Sequence, residues 1–416
     1  MNKTCRLGVL LAVISLGCGT DPPPGATPTA DVTLTPESAL TRLPNVSLIR
    51  AGAGFILAGY DSGWVRWGTL SLDGKTLSEQ APFALAQPVV GPVFGATMKT
   101  TAGDQLITVV VTDSTTVVGE YDVLAIVQTV GDAAPAAPVK LDHFTVGTDP
   151  TKVQIAAGSA TSGNVGFAAW GVRVPGIPIS YLLLPADAVT AAAISKIFDN
   201  ADPAKVPNWD CLQTTNGKTG LGFSVVTPDD GNPQVSDFRA VEFLETGEAA
   251  EMLYPFQVAV ANCQVVGSPG PKDTYVMAFQ TSNAIDFATY SPPPSLPDAQ
   301  VSNGSVTTMN PVLTSASFGD PLSMPSVAWV SSPGSDVSIG LSSPGGVQVV
   351  RYTYNAIPHG ATLTLRSERG QTGPVAAWVG PDATTYVTYT DQAKGSGTTV
   401  STKRYFMRIE SPATLP

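Results

Sequence analysis

The feature that most constrains this chain is a short apolar signature ending in Ala and an aromatic residue, recurring at near-regular intervals. Val375-Ala376-Ala377-Trp378 has counterparts in Ser326-Val327-Ala328-Trp329, Val276-Met277-Ala278-Phe279 and Phe167-Ala168-Ala169-Trp170. With Val225, Val110 and Tyr60 filling the remaining places, the series has seven members separated by 50, 60, 55, 54, 50 and 49 residues. Self-similarity at such a period marks an architecture built by stacking one unit, each unable to bury its apolar face alone.

Each unit reads as three or four short strands. In the first these are Phe55 to Tyr60, Trp64 to Leu72 and Thr76 onward, with Asp73-Gly74 set for a tight hairpin. The sixth offers four strands, from Ser326, Val337, Val347 and Ala361; the seventh offers three, from Val375, Thr385 and Tyr405. The 40 Gly, 36 Pro and 13% charged residues suit short strands joined by many turns and argue against a helical enzyme or coiled coil. The expectation is an all-β, seven-bladed β-propeller over residues 46–416, a single large domain. A ring needs closure, because an open end leaves unpaired strand edges. Val46 to Arg50, left over before the first unit, is expected to supply the missing outer strand of the last blade. Asp187 to Asn200 spaces Val189, Ala193, Ile197 and Phe198 as a helix does, after an Asp able to cap it, which predicts a short inserted helix between repeats three and four. The long loop carrying Trp209, Asp210 and Cys211 follows it.

Residues 1–17 carry Lys3 and Arg6 before an apolar run from Leu7 to Leu16, the pattern of an export signal too short to span a bilayer. Ser15-Leu16-Gly17-Cys18 resembles a bacterial lipobox. The resemblance implies that Cys18 becomes the lipid-modified first residue of the mature protein. It also implies the envelope of a diderm bacterium, with Gly19 after the cysteine pointing to the outer membrane. The alternative is an ordinary signal peptide cut nearby, leaving Cys18 a free thiol. Residues 18–45, rich in Pro, Thr and Ala, read as a tether. In architecture the whole resembles lipoproteins that carry a propeller domain.

Cys211 and Cys263 are the remaining pair, and in an oxidising compartment they are expected to form a disulfide. Closing a loop of roughly 50 residues would contribute about 4 kcal/mol on the chain-entropy account. A metal site in their place would lack further thiols and a nearby His. The net charge of −11, without basic stripes, excludes nucleic acid as a partner. Only two His occur, His143 and His359, both read as surface or turn residues, and no Gly-x-Ser-x-Gly motif accompanies them. Thr227-Pro228-Asp229-Asp230-Gly231-Asn232 lacks the ligand spacing of a calcium loop and reads as a hairpin turn. No phosphate-cradling glycine loop precedes a helix, so no cofactor and no metal are expected.

Some sialidases carry a Ser-x-Asp-x-Gly-x-Thr-Trp box in their hairpins; Asp61-Ser62-Gly63 matches its centre, but Trp67 falls one residue late. Trp170, Trp329 and Trp378 share the repeat position and are expected to pack between blades. Trp64, Trp67 and Trp209 lie outside that register and are the candidate binding residues. The reading that results is a lipid-anchored, non-catalytic binding or scaffold module for an envelope protein or a surface glycan. A glycan hydrolase or lyase with carboxylates in the central funnel is the alternative.

Overall fold

The structure is a computed structural model. It describes residues 30–43, 45–61, 63–100, 103–114, 117–131, 135–159, 166–184, 194–206, 208–209, 211–216, 220–229, 232–244 and 249–255, then the strands named below and Thr384. Its strands, in chain order, are β1 (Ala30–Leu34), β2 (Val46–Ala51), β3 (Gly54–Asp61), β4 (Trp64–Ser71), β5 (Leu77–Glu79), β6 (Phe83–Ala84), β7 (Phe94–Thr100), β8 (Gly103–Asp113), β9 (Glu120–Thr129), β10 (Val139–Thr145), β11 (Val153–Ser159), β12 (Gly166–Val172), β13 (Ile179–Leu184), β14 (Ser195–Ile197) and β15 (Cys211–Asn216). They continue as β16 (Gly220–Asp229), β17 (Asn232–Leu244), β18 (Ala249–Pro255), β19 (Val265–Pro269), β20 (Tyr275–Thr281), β21 (Ala284–Tyr290), β22 (Asn310–Ser317), β23 (Ser326–Ala328), β24 (Asp336–Ser343), β25 (Gly346–Thr353), β26 (Leu363–Arg366), β27 (Gly370–Thr372), β28 (Ala376–Val379), β29 (Thr385–Ala393) and β30 (Thr402–Ile409).

These strands form seven antiparallel sheets of four or five strands among the described residues. Six use consecutive strands: β2 to β6, β7 to β10, β11 to β14, β15 to β18, β19 to β22 and β23 to β26. The seventh joins β27 to β30 with β1 from the other end of the chain. Neighbouring sheets pack face to face. Between the first and second lie Ile56, Ala58, Val65 and Trp67 against Leu106, Val110 and Ile126. The opposite row of β8, Ile107, Val109 and Val111, meets Ile155, Ala168 and Trp170 of the third sheet. Trp209 and Leu212 cover Ala156, Phe167 and Ala169 between the third and fourth. Phe55, Leu57 and Leu70 meet Tyr386 and Phe406 between the first and the last. The alternating side chains of a strand thus serve two different interfaces, which is how a β-propeller buries its sheets.

The first strand of each sheet is the innermost. β2 lies against β7, β7 against β11, β11 against β15 and β15 against β19, while β28 lies against both β2 and β23. Side chains link these strands across sheets: Ser47 donates to the Val93 carbonyl and Thr97 Oγ1 to the Arg50 carbonyl at 2.6 Å, while the Thr97 amide donates to Ser159 Oγ at 2.9 Å. Because Ser47 meets Val93 and Arg50 meets Thr97, β2 and β7 run parallel.

This placement corrects the phase of the repeat. Tyr60, Val110, Trp170, Val225 and Phe279 lie on β3, β8, β12, β16 and β20, the second strand of each of the first five sheets, whereas Trp378 lies on β28, a first strand. Trp329 is outside the described residues. A second strand is covered on both faces, so it reads as a continuous apolar run: all seven residues of β12 are buried. The innermost strand borders the axis and is covered less completely, as in β2 and β7.

The phase error explains the misassigned closing strand. Val46 to Arg50 is not the outer strand of the last sheet; as part of β2 it pairs with β3, Val46 opposite Gly59 and Arg50 opposite Phe55. The outer strand is β1, from within the stretch expected to be tether, with Ala30 opposite Ile409 and Leu34 opposite Tyr405. Exchange between the two ends therefore does complete the last sheet, one strand earlier in the chain. From β1 the chain crosses to the first sheet through a 3-10 turn at Leu40–Arg42 that buries Leu40 and Thr41. Arg404 locks this crossing. Its carbonyl accepts from both the amide (3.0 Å) and Oγ1 (2.8 Å) of Thr35, while its fully buried guanidinium donates to the Leu43 carbonyl and to Thr388 Oγ1. Burial pulls its pKa down to about 9, still high enough to keep the charge at neutral pH.

The expected helix at 187–200 is also corrected in its described part. Ser195–Ile197 is β14, antiparallel to β13 with Ile179 opposite Ile197, while residues 187–193 lie outside the described residues. Phe198 follows at φ 60°, a left-handed conformation that ends the strand. Cys211 opens β15; Cys18, Cys263 and His359 lie outside the described residues, as do residues 230–231 of the candidate calcium turn.

The hairpin face as candidate functional site

Strands alternate in direction within each sheet, so the hairpins joining second to third strands emerge at the same end as the connections to the next sheet. Three such hairpins are described in whole or part: Gly63 between β3 and β4, residues 114 and 117–119 between β8 and β9, and residues 173–178 between β12 and β13. Each has a glycine with positive φ, Gly63, Gly119 and Gly176, where a side chain would be strained. Gly119 has a second constraint, since a Cβ there would lie 3.0 Å from the Gly147 backbone.

Backbone hydrogen bonds stitch these hairpins into one surface. The Leu85 amide donates to the Gly63 carbonyl, and the Asp113 amide to the Pro88 carbonyl, so the connection into β7 joins the first two hairpins. The Val146 amide donates to Gly119 and the Arg173 amide to Lys152, so the connection into β11 joins the second and third. Two of the sheet connections repeat one device. Asp149-Pro150-Thr151-Lys152-Val153 and Asp202-Pro203-Ala204-Lys205-Val206 each form a 3-10 turn in which the Asp side chain accepts from the amide two residues on. The Thr151 hydroxyl and amide hold the Asp149 carboxyl below its usual pKa. This Asp-Pro-x-Lys-Val repeat is legible in the sequence, yet it sits in connections rather than strands and so escapes a search for strand periodicity.

The face sets exposed apolar side chains among exposed charged ones such as Asp61, Asp149, Asp202 and Lys205. Among the described residues, six large hydrophobic side chains are exposed, and four of them, Trp64, Val117, Val118 and Val174, stand on these three hairpins. Val118 is 91% exposed and Trp64 43%. The other two, Val32 and Leu34, are on the outer strand β1.

Of the three candidate binding indoles, then, only Trp64 is on the surface. Trp67 (1% exposed) and Trp209 (3%) are core residues. Trp67 donates to Thr108 Oγ1 at 3.0 Å, bridging the first and second sheets. Trp170 lies between sheets, as its repeat position suggested, and donates to Asp142 Oδ2 at 2.9 Å. Trp209 fills the next interface, and its indole N–H has no partner among the described residues. Both faces of β4 are covered by neighbouring sheets, and Trp64 is exposed because it is the first residue of the strand, beside the Gly63 turn, whereas Trp67 lies further in.

Beside the second hairpin, at the outer rim, lies a charged cluster. His143 is on β10 rather than in a turn, directly opposite Asp122 of β9. Its Nδ1 lies 2.7 Å from Asp122 Oδ1 and its Nε2 3.4 Å from Glu120, and Lys140 Nζ also reaches Asp122 at 2.7 Å. No group of three or more metal-ligating side chains occurs among the described residues. Burial pushes the Asp122 pKa up, but the hydrogen bonds from Lys140 and His143 outweigh it and the net shift is downward. A carboxyl whose folded pKa is depressed contributes stability that is present above its unfolded value of about 3.9 and lost as pH falls through the folded one. Asp122→Asn should therefore flatten the acid limb of a plot of melting temperature against pH while leaving the limb above pH 6 parallel to the original.

No known protein family matches the chain, and no curated protein does. Solved structures do. A protein from Lactobacillus plantarum is 14% identical, with 84% of this chain and 98% of that one covered and a TM-score of 0.46. The Dos1 propeller is 9% identical, covering 86% and 75%, at 0.43. The SapL1 lectin, in complex with alpha methyl fucoside, is 10% identical, covering 79% and 97%, at 0.42. At these identities and scores the propeller assignment rests on the sheets themselves.

Proposed function

We propose that this protein is a non-catalytic binding module of a bacterial envelope, anchored through a lipid on Cys18, whose hairpin face holds a protein partner. The observation that carries the proposal is the gathering of Trp64, Val117, Val118 and Val174 on one end of the propeller, on hairpins braced by the sheets behind them. Exposed apolar groups on a rigid scaffold mark interaction surfaces. Their chemistry favours a protein over a glycan. Branched aliphatic side chains pack against apolar side chains, whereas a sugar needs stacking aromatics and fixed polar groups, and Trp64 is the one aromatic among the four. The inner strands also support binding over hydrolysis. β2, β7, β11, β15, β19, β23, β27 and β28 mix apolar residues with Ser, Thr, Gln and Asn and two cations, Arg50 and Lys99, and none of these strands carries the Asp or Glu that a funnel hydrolase would place there.

The test is quantitative cross-linking and affinity purification from native envelopes, comparing the wild-type protein with a Val117→Glu, Val118→Glu variant. Both positions are exposed, so the variant is expected to fold with an unchanged melting temperature. Recovery of a stoichiometric protein partner should fall at least tenfold, since burying two unpaired carboxylates in an interface is strongly unfavourable. Equal recovery from both would remove the hairpin face from the account.

A further inference from the structure

The direction of β1 sets the face of the propeller at which Ala30 lies. β1 begins at Ala30, opposite Ile409, the last residue of β30. Thr385, the first residue of β29, pairs with both Ile409 and Val379, so Ala30 lies at the end of the last sheet where its first strand turns into its second. Phe55, beside the corresponding turn of the first sheet, packs on Tyr386 with ring centroids 4.9 Å apart, which sets the two sheets the same way up. Second-to-third hairpins are at the other end. The chain preceding Ala30 therefore leaves from the face opposite Trp64, Val117, Val118 and Val174.

We infer that the protein stands on its membrane with the hairpin face turned away from the lipid, so that its apolar side chains meet a partner approaching through the aqueous compartment and do not dip into the bilayer. This rests on the anchor at Cys18. The chain from Cys18 to Ala30 spans no more than about 40 Å when fully extended. An eight-residue strand such as β3 is about 26 Å long. Laying the hairpins on the lipid would lift Ala30 by roughly that height and use most of the tether's contour, at a cost in chain entropy. Standing on the opposite face uses none of it.

The orientation is read by attaching a fluorophore to Val118→Cys on the hairpin face, or to Lys75→Cys in the exposed β4–β5 turn on the opposite face, of the full-length, lipid-modified protein in vesicles. Nitroxide-bearing lipid headgroups then quench whatever lies near the membrane, with quenching of the wild type's own labelled thiols subtracted. The label at 75 should be quenched several-fold more than the label at 118. Equal or stronger quenching at 118 overturns the orientation and makes the apolar hairpins a membrane-contacting surface. The Cys18→Ser protein, run beside them, tests the anchor by itself: it should no longer float with the vesicles, and flotation equal to wild type removes the anchor and the inference together.

Discussion

A chain that starts at Pro36 should not form the cooperative propeller that a chain starting at Ala30 forms. The six residues between those starts contribute β1, whose register with β30 runs from Ala30–Ile409 to Leu34–Tyr405, and Thr35, which ties to Arg404 through two bonds. With each backbone bond worth about 1 kcal/mol net, their loss costs about 5 kcal/mol, comparable to the stability of many whole domains. It also exposes the edge of β30, whose Phe406, Met407 and Ile409 are buried in the intact protein. A bare apolar edge is a template for pairing with another copy. The expected result is a broad, early thermal transition and high-molecular-weight species on size exclusion, whereas removal of residues 1–29 leaves both measurements as in the parent. Identical melting of the two truncated chains would mean that β30 needs no outer strand.

That prediction concerns a strand the sequence hides. Ala30-Asp31-Val32-Thr33-Leu34 lies in a Pro- and Thr-rich stretch, and its two largest side chains, Val32 and Leu34, are exposed. It is a strand because β30 offers an edge, and pairing across the length of the chain leaves no local trace. β3, β8 and β12 are the opposite case. Sheets cover both of their faces, so burial writes a continuous apolar run into the sequence, and counting such runs yields the repeat and the fold class while displacing the boundaries of the first five blades by one strand. Val46 to Arg50 then looks spare, although it is the innermost strand of the first sheet.

The candidate site was legible in the same partial way. Trp64 and Trp67 both fall outside the repeat register, which does not tell the strand end beside a turn from the covered middle of the strand. Val117, Val118 and Val174 were missed. A valine in a hairpin carries no chemical signature of its own, and the significance of these three comes from the end of the propeller they share with Trp64. Trp209 likewise falls outside the register, in what reads as a long loop. Its burial comes from Gly171, where a Cβ would stand 2.8 Å from the indole, and from the third sheet behind it.

The three buried indoles also predict an order of stabilities. Trp67, Trp170 and Trp209 fill successive interfaces, so replacing any one by Ala should cost about 3–5 kcal/mol through lost burial and the cavity left behind. Replacement by Phe keeps most of the volume and isolates the N–H. Trp170→Phe deprives Asp142 Oδ2 of its 2.9 Å donor; the His143 amide still donates to Oδ1, and the Ser180 hydroxyl, 3.4 Å from Oδ2, is a poor substitute. A hydrogen bond to a charged acceptor is worth about 1.5–3 kcal/mol. Trp67→Phe loses a bond to the neutral hydroxyl of Thr108, worth about 1 kcal/mol. Trp209→Phe loses no such bond, because its buried N–H has no partner among the described residues, and removing that unsatisfied donor offsets part of the lost packing. Urea denaturation of the three Phe variants should therefore rank Trp170 as the most costly, Trp67 next and Trp209 last, with similar m-values if the ring unfolds as a unit. If Trp209→Phe proves the most damaging instead, its indole must be donating across the third interface, and that interface rather than the second would be the one held by a polar contact.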